Sequence, residues 1–389
     1  MGSFCKLLAA AGVFVLPAAW LPSYAAGAPR LPFAAAPHAN FNVLPGMPPV
    51  LDTANIYSAD GPGMVSPTIK NFPYRVYVPN SKSDTVDVID PATYKIVEHF
   101  VLPKHTRHLL EPQHVVPSWD LKKLWVAQDL GDQLTLIDPA TGKMGESIRV
   151  DDPYNMYYTP DGKYAIVMAE REKRIDFRDA QTMKVVNRVP VGCEGVNHAD
   201  FSPDGRYMIA TCEFSSELIK VDVATQKVIG HLKLQPVGMP QDCRLSPDGK
   251  VFYVANMDAN GVHVIDGNAF RQIEFIPTGK GAHGEYFSRD SRFMYVSNRG
   301  EGTVSLIDLA TRKIATKWVI PGGGSPDMGG VSIDGKSLWL SGRYNGEVYV
   351  FDTSNGQLRA RIRVGRDPHG LCVWPQPGRY SLGHTGNMR

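Results

Sequence analysis

The chain has 389 residues, with 41 basic and 39 acidic side chains, and charge of neither sign gathers in a block. That balance excludes a nucleic-acid footprint, which needs a basic stripe or patch. The length is ample for a large core, and beyond the first 26 residues no apolar run is long enough to span a membrane.

Residues 1–26 combine Lys6, an apolar run from Leu7 to Leu21 and the small-residue stretch Ser23-Tyr24-Ala25-Ala26. This pattern predicts a cleavable secretory signal, and hence a periplasmic or secreted protein. Cys5 stands at the start of that segment and not at its cleavage end, so no lipid anchor is expected there. Residues 27–72 are rich in Ala, Pro and Gly without a period, and read as an extended arm that wraps the domain formed by residues 73–389.

Within 73–389 one unit recurs seven times. Its first anchor is a tight turn, at Trp119-Asp120, Asp161-Gly162, Asp204-Gly205, Asp248-Gly249, Asp290-Ser291, Asp334-Gly335 and Pro377-Gly378, in steps of 41 to 44 residues. Its second is an Asp closing a β-branched run, at Asp90, Asp138, Asp179, Asp222, Asp266, Asp308 and Asp352, usually with Thr three positions on. Short alternating runs such as Lys250–Ala255 and Gly302–Asp308 are half-buried strands, and no sustained helical period is present. Four strands per unit and seven units predict an all-β, seven-bladed β-propeller. An open solenoid of the same units is the rival. The turn ladder starts one strand late and leaves an orphan strand at Gly370–Trp374, which would complete the first blade and close the ring.

The segments Tyr77-Val78-Pro79-Asn80, Tyr253-Val254-Ala255-Asn256 and Tyr295-Val296-Ser297-Asn298, set in Ser-Pro-Asp-Gly and Val-Ile-Asp repeats, resemble the YVTN-type β-propeller repeat family over residues 74–377. That family is related to the haem-binding propeller domain of cytochrome-type nitrite reductases and also resembles lactonases. The resemblance implies the fold; function must be argued from the site.

Each blade's first strand lines the axis, so the connector entering it and the loop after its second strand share one face. Four residues before the turn Ser or Thr stand His114, Asn155, His198 and Asp242; in the later blades His283 and Asp327 stand five before it, and His369 six before the corresponding position of the last turn. His105 and His108 lie in the longest connector. Because a one-residue shift reverses a strand side chain, the change of offset leaves open one ring or two staggered tiers. The other loop on this face adds Glu170, Arg171, Glu213, Asn298, Arg299 and Arg343; the arginine guanidiniums suit an anionic ligand.

Imidazoles converging with carboxylates are ligands for copper, zinc or iron, and a histidine can bind haem axially. The first functional reading is therefore an exported propeller holding a transition metal or haem-type cofactor, in redox chemistry or cofactor handling. No Cys-x-x-Cys-His is present for covalent haem, so electrons would come from a partner, an exported electron-transfer protein. A non-catalytic binding scaffold and a lactonase-like hydrolase or lyase are the alternatives. Four cysteines remain after the signal, Cys193, Cys212, Cys243 and Cys372; their pairing is left open, with a soft-metal site the lesser alternative.

Overall fold

The computed structural model describes residues 41–105 and 107–389. Seven four-stranded antiparallel sheets form a ring of blades. Blades 2 to 7 follow the chain, with innermost strands Pro112–Pro117, Asn155–Tyr158, Val196–Phe201, Pro240–Leu245, Ala282–Phe287 and Pro326–Val331. Blade 1 is composite: Cys372–Trp374 pairs antiparallel with Arg75–Asn80, placing Val373 opposite Val76, and so closes the ring. The predicted signal and the start of the arm, residues 27–40, lie outside the described residues.

The repeat's turn is held by one hydrogen bond in six blades. Ser118, Ser202, Ser246, Ser288 and Ser332 each donate Oγ–H at 2.6 Å to the Asp two positions on, and Thr159 does so at 2.5 Å. The same Ser oxygen accepts a backbone N–H from the next strand, as at Tyr207 and Val251. At the outer turns Asp179, Asp222 and Asp308 accept both N–H and Oγ–H of the Thr three positions on. These side chains supply locally the hydrogen bonds the turning backbone lacks. Between blades, β-branched and aromatic residues form continuous apolar clusters, one running from Ile209 to Ile307 across blades 4 to 6.

Two segments outside the repeat close the face that carries these turns. Residues 44–65 cross it, with Leu44 N–H donating to Asp204 O, Ile56 to Pro247 O and Gly63 to Ile333 O. Residues 380–389 fold back on themselves as a hairpin inside the channel, Ser381 bridging Met388, and its outgoing limb bridges Tyr157 of blade 3 through Gly383. Cys193 and Cys212 form a disulfide within blade 4, while Cys243 and Cys372 are free and buried.

Candidate functional site

A β-bulge opens the innermost strand in five blades. In blade 4 Val196 pairs with Cys212 and Ala199 with Ala210, so Asn197 and His198 together oppose Thr211. The same irregularity falls at Gln113, between Gln241 and Asp242, at His283-Gly284 and at Asp327-Met328. An extra residue on one strand lets two consecutive side chains leave the sheet toward the axis. The first position of the bulge lies nearer the open face and the second lies deeper. The two sequence offsets therefore become two tiers: His283 and Asp327 above with His369, and His114, His198 and Asp242 below.

The deep group contains His114, His198 and His384, with their ligating nitrogens within 4.8 Å of one another. All three are fully buried. His114 donates Nδ1–H to Tyr154 O at 2.9 Å, and His198 donates Nδ1–H to Asn197 Oδ1 at 3.0 Å. His384 Nδ1 meets the Asn155 amide at 2.9 Å. None of the three Nε2 atoms has a hydrogen-bond partner. Burial pushes the imidazoles toward the neutral form, His114 down to about 3 and His198 and His384 well below their usual value. Asp242 Oδ1 stands 3.8 Å from His384 Nε2, and burial raises that carboxyl to about 6.

The upper group is His283, Asp327 and His369. Asp327 Oδ1 lies 2.9 Å from His283 Nδ1 and 3.3 Å from Arg299; its Oδ2 lies 3.6 Å from His369 Nε2 and 3.8 Å from Arg343. Burial alone would raise this carboxyl, but His283, Arg299 and Arg343 hold it well below the usual range. Burial holds His283 at about 4, and His369 is likewise lowered, by burial and by Arg343. The two tiers touch: the rings of His369 and His114 are centred 4.8 Å apart.

Above the upper group opens a mouth of about 310 Å³, lined by His283, His369, Arg299, Arg343, Glu170, Glu213, Tyr154, Phe214 and Tyr344 among others. It is bipolar. The guanidiniums come from blades 6 and 7, and the carboxyls of Glu170 and Glu213 from blades 3 and 4, joined by Asn197, whose amide donates to both at 3.3 and 2.7 Å. Burial and the neighbouring Glu213 raise Glu170 to about 9, and burial raises Glu213 as well, so at neutral pH this side offers O–H groups along with charge. Phe214 and Tyr344 expose 58% and 67% of their surface at the rim.

Three of the residues singled out from sequence lie elsewhere. Arg171 clips blades 2 and 3 through Asp129 and Asp152, at 3.2 and 3.0 Å, outside the mouth. His105 and His108 are exposed on their connector, and His105 lines a separate surface hollow with Gln133 and Arg149. Conversely, His384 lies past the closing strand, and only the fold brings it to the axis. Asn197 and Tyr154 were also missed. The legible signal was the Gly383-His384-Thr385-Gly386 spelling, a polar residue pair between two glycines.

A family model described as YNCE-like beta-propeller matches residues 63–378. The chain belongs to that family. Among curated proteins it is similar to Antigen Lp49 of Leptospira interrogans, 28% identical over 167 residues, which is 37% of this chain and 36% of that protein. It is also similar to Protein NirF of Pseudomonas aeruginosa, 32% identical over 133 residues, 34% of this chain and 33% of that one. The chain thus spans about a third of the length of these relatives. Of solved structures, the dihydro-heme d1 dehydrogenase NirN in complex with DHE superposes with a TM-score of 0.58 at 17% identity, covering 77% of this chain and 75% of that one. At that identity the likeness is one of fold.

Proposed function

We propose that this protein is an exported propeller that binds an anionic, haem-type cofactor in its mouth, for cofactor handling or redox chemistry. The observation that carries this reading is the floor of the mouth: buried His369 with its Nδ1 unpartnered, and His283 held through Nδ1 by Asp327, beneath the guanidiniums of Arg299 and Arg343. His369 or His283 would supply the iron ligand. Arg299 and Arg343 would take carboxylate substituents, in the charge-assisted geometry that favours Arg at such positions. Phe214 and Tyr344 would stack on a planar ring. When bound, a haem-type group supplies one-electron chemistry that the side chains alone lack. NirN, a protein similar in fold, has been solved in complex with DHE, which supports a ligand of this class. The Cys193–Cys212 disulfide supports export to an oxidising compartment.

The hydrolase alternative needs a carboxylate free to act as base, and Asp327 is held instead by two guanidiniums and two imidazoles. The test is a titration of the purified chain with haemin, followed by its visible absorption. Saturable one-to-one binding is expected, with an altered spectrum in His369→Ala or His283→Ala. An unperturbed haemin spectrum would sink the reading.

A further inference from the structure

We propose that the deep group is a metal site separate from the mouth: His114, His198 and His384 hold one divalent ion of the zinc and copper class through Nε2, and the tail delivers the third ligand. This goes beyond the cofactor reading and does not depend on it.

Three buried nitrogens without partners, gathered within 4.8 Å, are an unusual arrangement. Leaving a buried polar atom unpaired is costly, and a single ion would satisfy all three at once. The opposite ring nitrogens are already committed. His114 and His198 donate Nδ1–H to Tyr154 O and Asn197 Oδ1, which leaves each Nε2 with its lone pair facing the cluster. This is the supporting shell of a metal-ligating histidine. At His384 the Asn155 amide nitrogen faces Nδ1 while its oxygen accepts Met156 N–H, so an ion on Nε2 would move the ring proton to Nδ1 and require that amide to turn. Bonds of about 2.0–2.1 Å to one ion require the three nitrogens, within 4.8 Å of one another here, to draw closer.

Charge separates the two tiers. Arg299 and Arg343 contact Asp327 in the upper group, so a bare cation there would face two guanidiniums. The deep group has no such contact; its nearest carboxylate, Asp242, lies 3.8 Å from His384 Nε2 and can supply a fourth ligand or a countercharge.

The tail is shaped for this delivery. Its hairpin tip carries positive φ at Gly383, His384 and Gly386, a conformation that is uncommon for a non-glycine residue. A Cβ at Gly383 would lie 2.5 Å from Met156 O, and one at Gly386 would lie 2.3 Å from the Gln376 amide nitrogen. Both positions therefore need glycine, and together they present His384 at the channel's centre.

The experiment uses the full chain, stripped with a chelator and dialysed against Zn²⁺, with the ion counted by elemental analysis. One ion per chain is expected in the parent protein and in His283→Ala, and none in His198→Ala or His384→Gln; the latter keeps a polar side chain at the tip if His384→Ala fails to fold. Asn197→Ala should weaken binding by about 10–100-fold. Co²⁺ at the site should give visible ligand-field bands that vanish in the same variants. No ion in the parent protein, an ion retained by His384→Gln, or loss of the ion in His283→Ala would each overturn the proposal.

Discussion

At the turn face the axial channel ends in charge pairs closed by segments outside the repeat. Arg389 of the tail meets buried Asp200 at 2.7 Å and lies over the Tyr57 ring of the arm, while Arg244 donates to Asn387 at 2.5 Å. At the mouth, one carboxylate, Asp327, is shared among two guanidiniums and two imidazoles, and His369 Nδ1 is left without a partner. The repeat builds both ends from equivalent strands; what differs is that the arm and tail seal only one. Among the described residues the channel is covered at one end and open at the other, so substitutions at its two ends should separate stability from the proposed binding.

The largest effect is expected at the sealed end. Removing Arg389 leaves Asp200 buried without its guanidinium, so Arg389→Ala should cost about 3 kcal/mol in urea unfolding while leaving the proposed haemin affinity unchanged. A loss below 1 kcal/mol would mean that the tail does not anchor this face.

Asp60 is the exception on the sealed face. Its Oδ1 is unpartnered, and burial, only partly offset by Arg289 and Arg389, raises its carboxyl from 3.8 to about 7. Because the folded value lies above the unfolded one, its favourable contribution is complete below pH 4 and is lost as pH rises through 7. Asp60→Asn should then stabilise the protein by on the order of 4 kcal/mol at pH 8.5 and have little effect at pH 4. Equal shifts at both pH values would refute that assignment.

At the mouth the pattern should invert. Arg343 lies 3.7 Å or more from its carboxylates, and Asp327 keeps Arg299, so Arg343→Ala should change stability little and weaken haemin about tenfold, or about 1.4 kcal/mol. The smallest effect is expected for Phe214→Ala. Its exposed ring contributes little to folding, within about 0.5 kcal/mol, and about 1 kcal/mol to stacking on a planar ligand. Calorimetric unfolding and haemin titration of the same preparations test both variants.

The blade count was legible because the residues that spell it act locally. Ser202 and Asp204, or Asp222 and Thr225, bond within a few positions of each other, so the sequence alone carries the turn. The closing strand followed from counting strands. The tiers were legible only as a change of offset between His198 and His283, since a bulge is a property of two paired strands and Thr211 lies 13 positions from His198. His384 was harder still. It reaches the axis through contacts with Met156 and Asn155, more than 220 residues away, and no local pattern encodes that path. Arg171 shows the converse: its loop lies on the expected face, but Asp129 and Asp152 take its guanidinium first.

The most direct test of the account measures both ligands on both tiers. Haemin and Zn²⁺ affinities would be determined in parallel for the parent chain, Arg343→Ala and His384→Gln. Two separate sites predict that Arg343→Ala loses haemin affinity and keeps the ion, and that His384→Gln does the reverse. Parallel loss of both ligands in either variant would contradict a channel divided into an anion-binding mouth and a metal-binding floor.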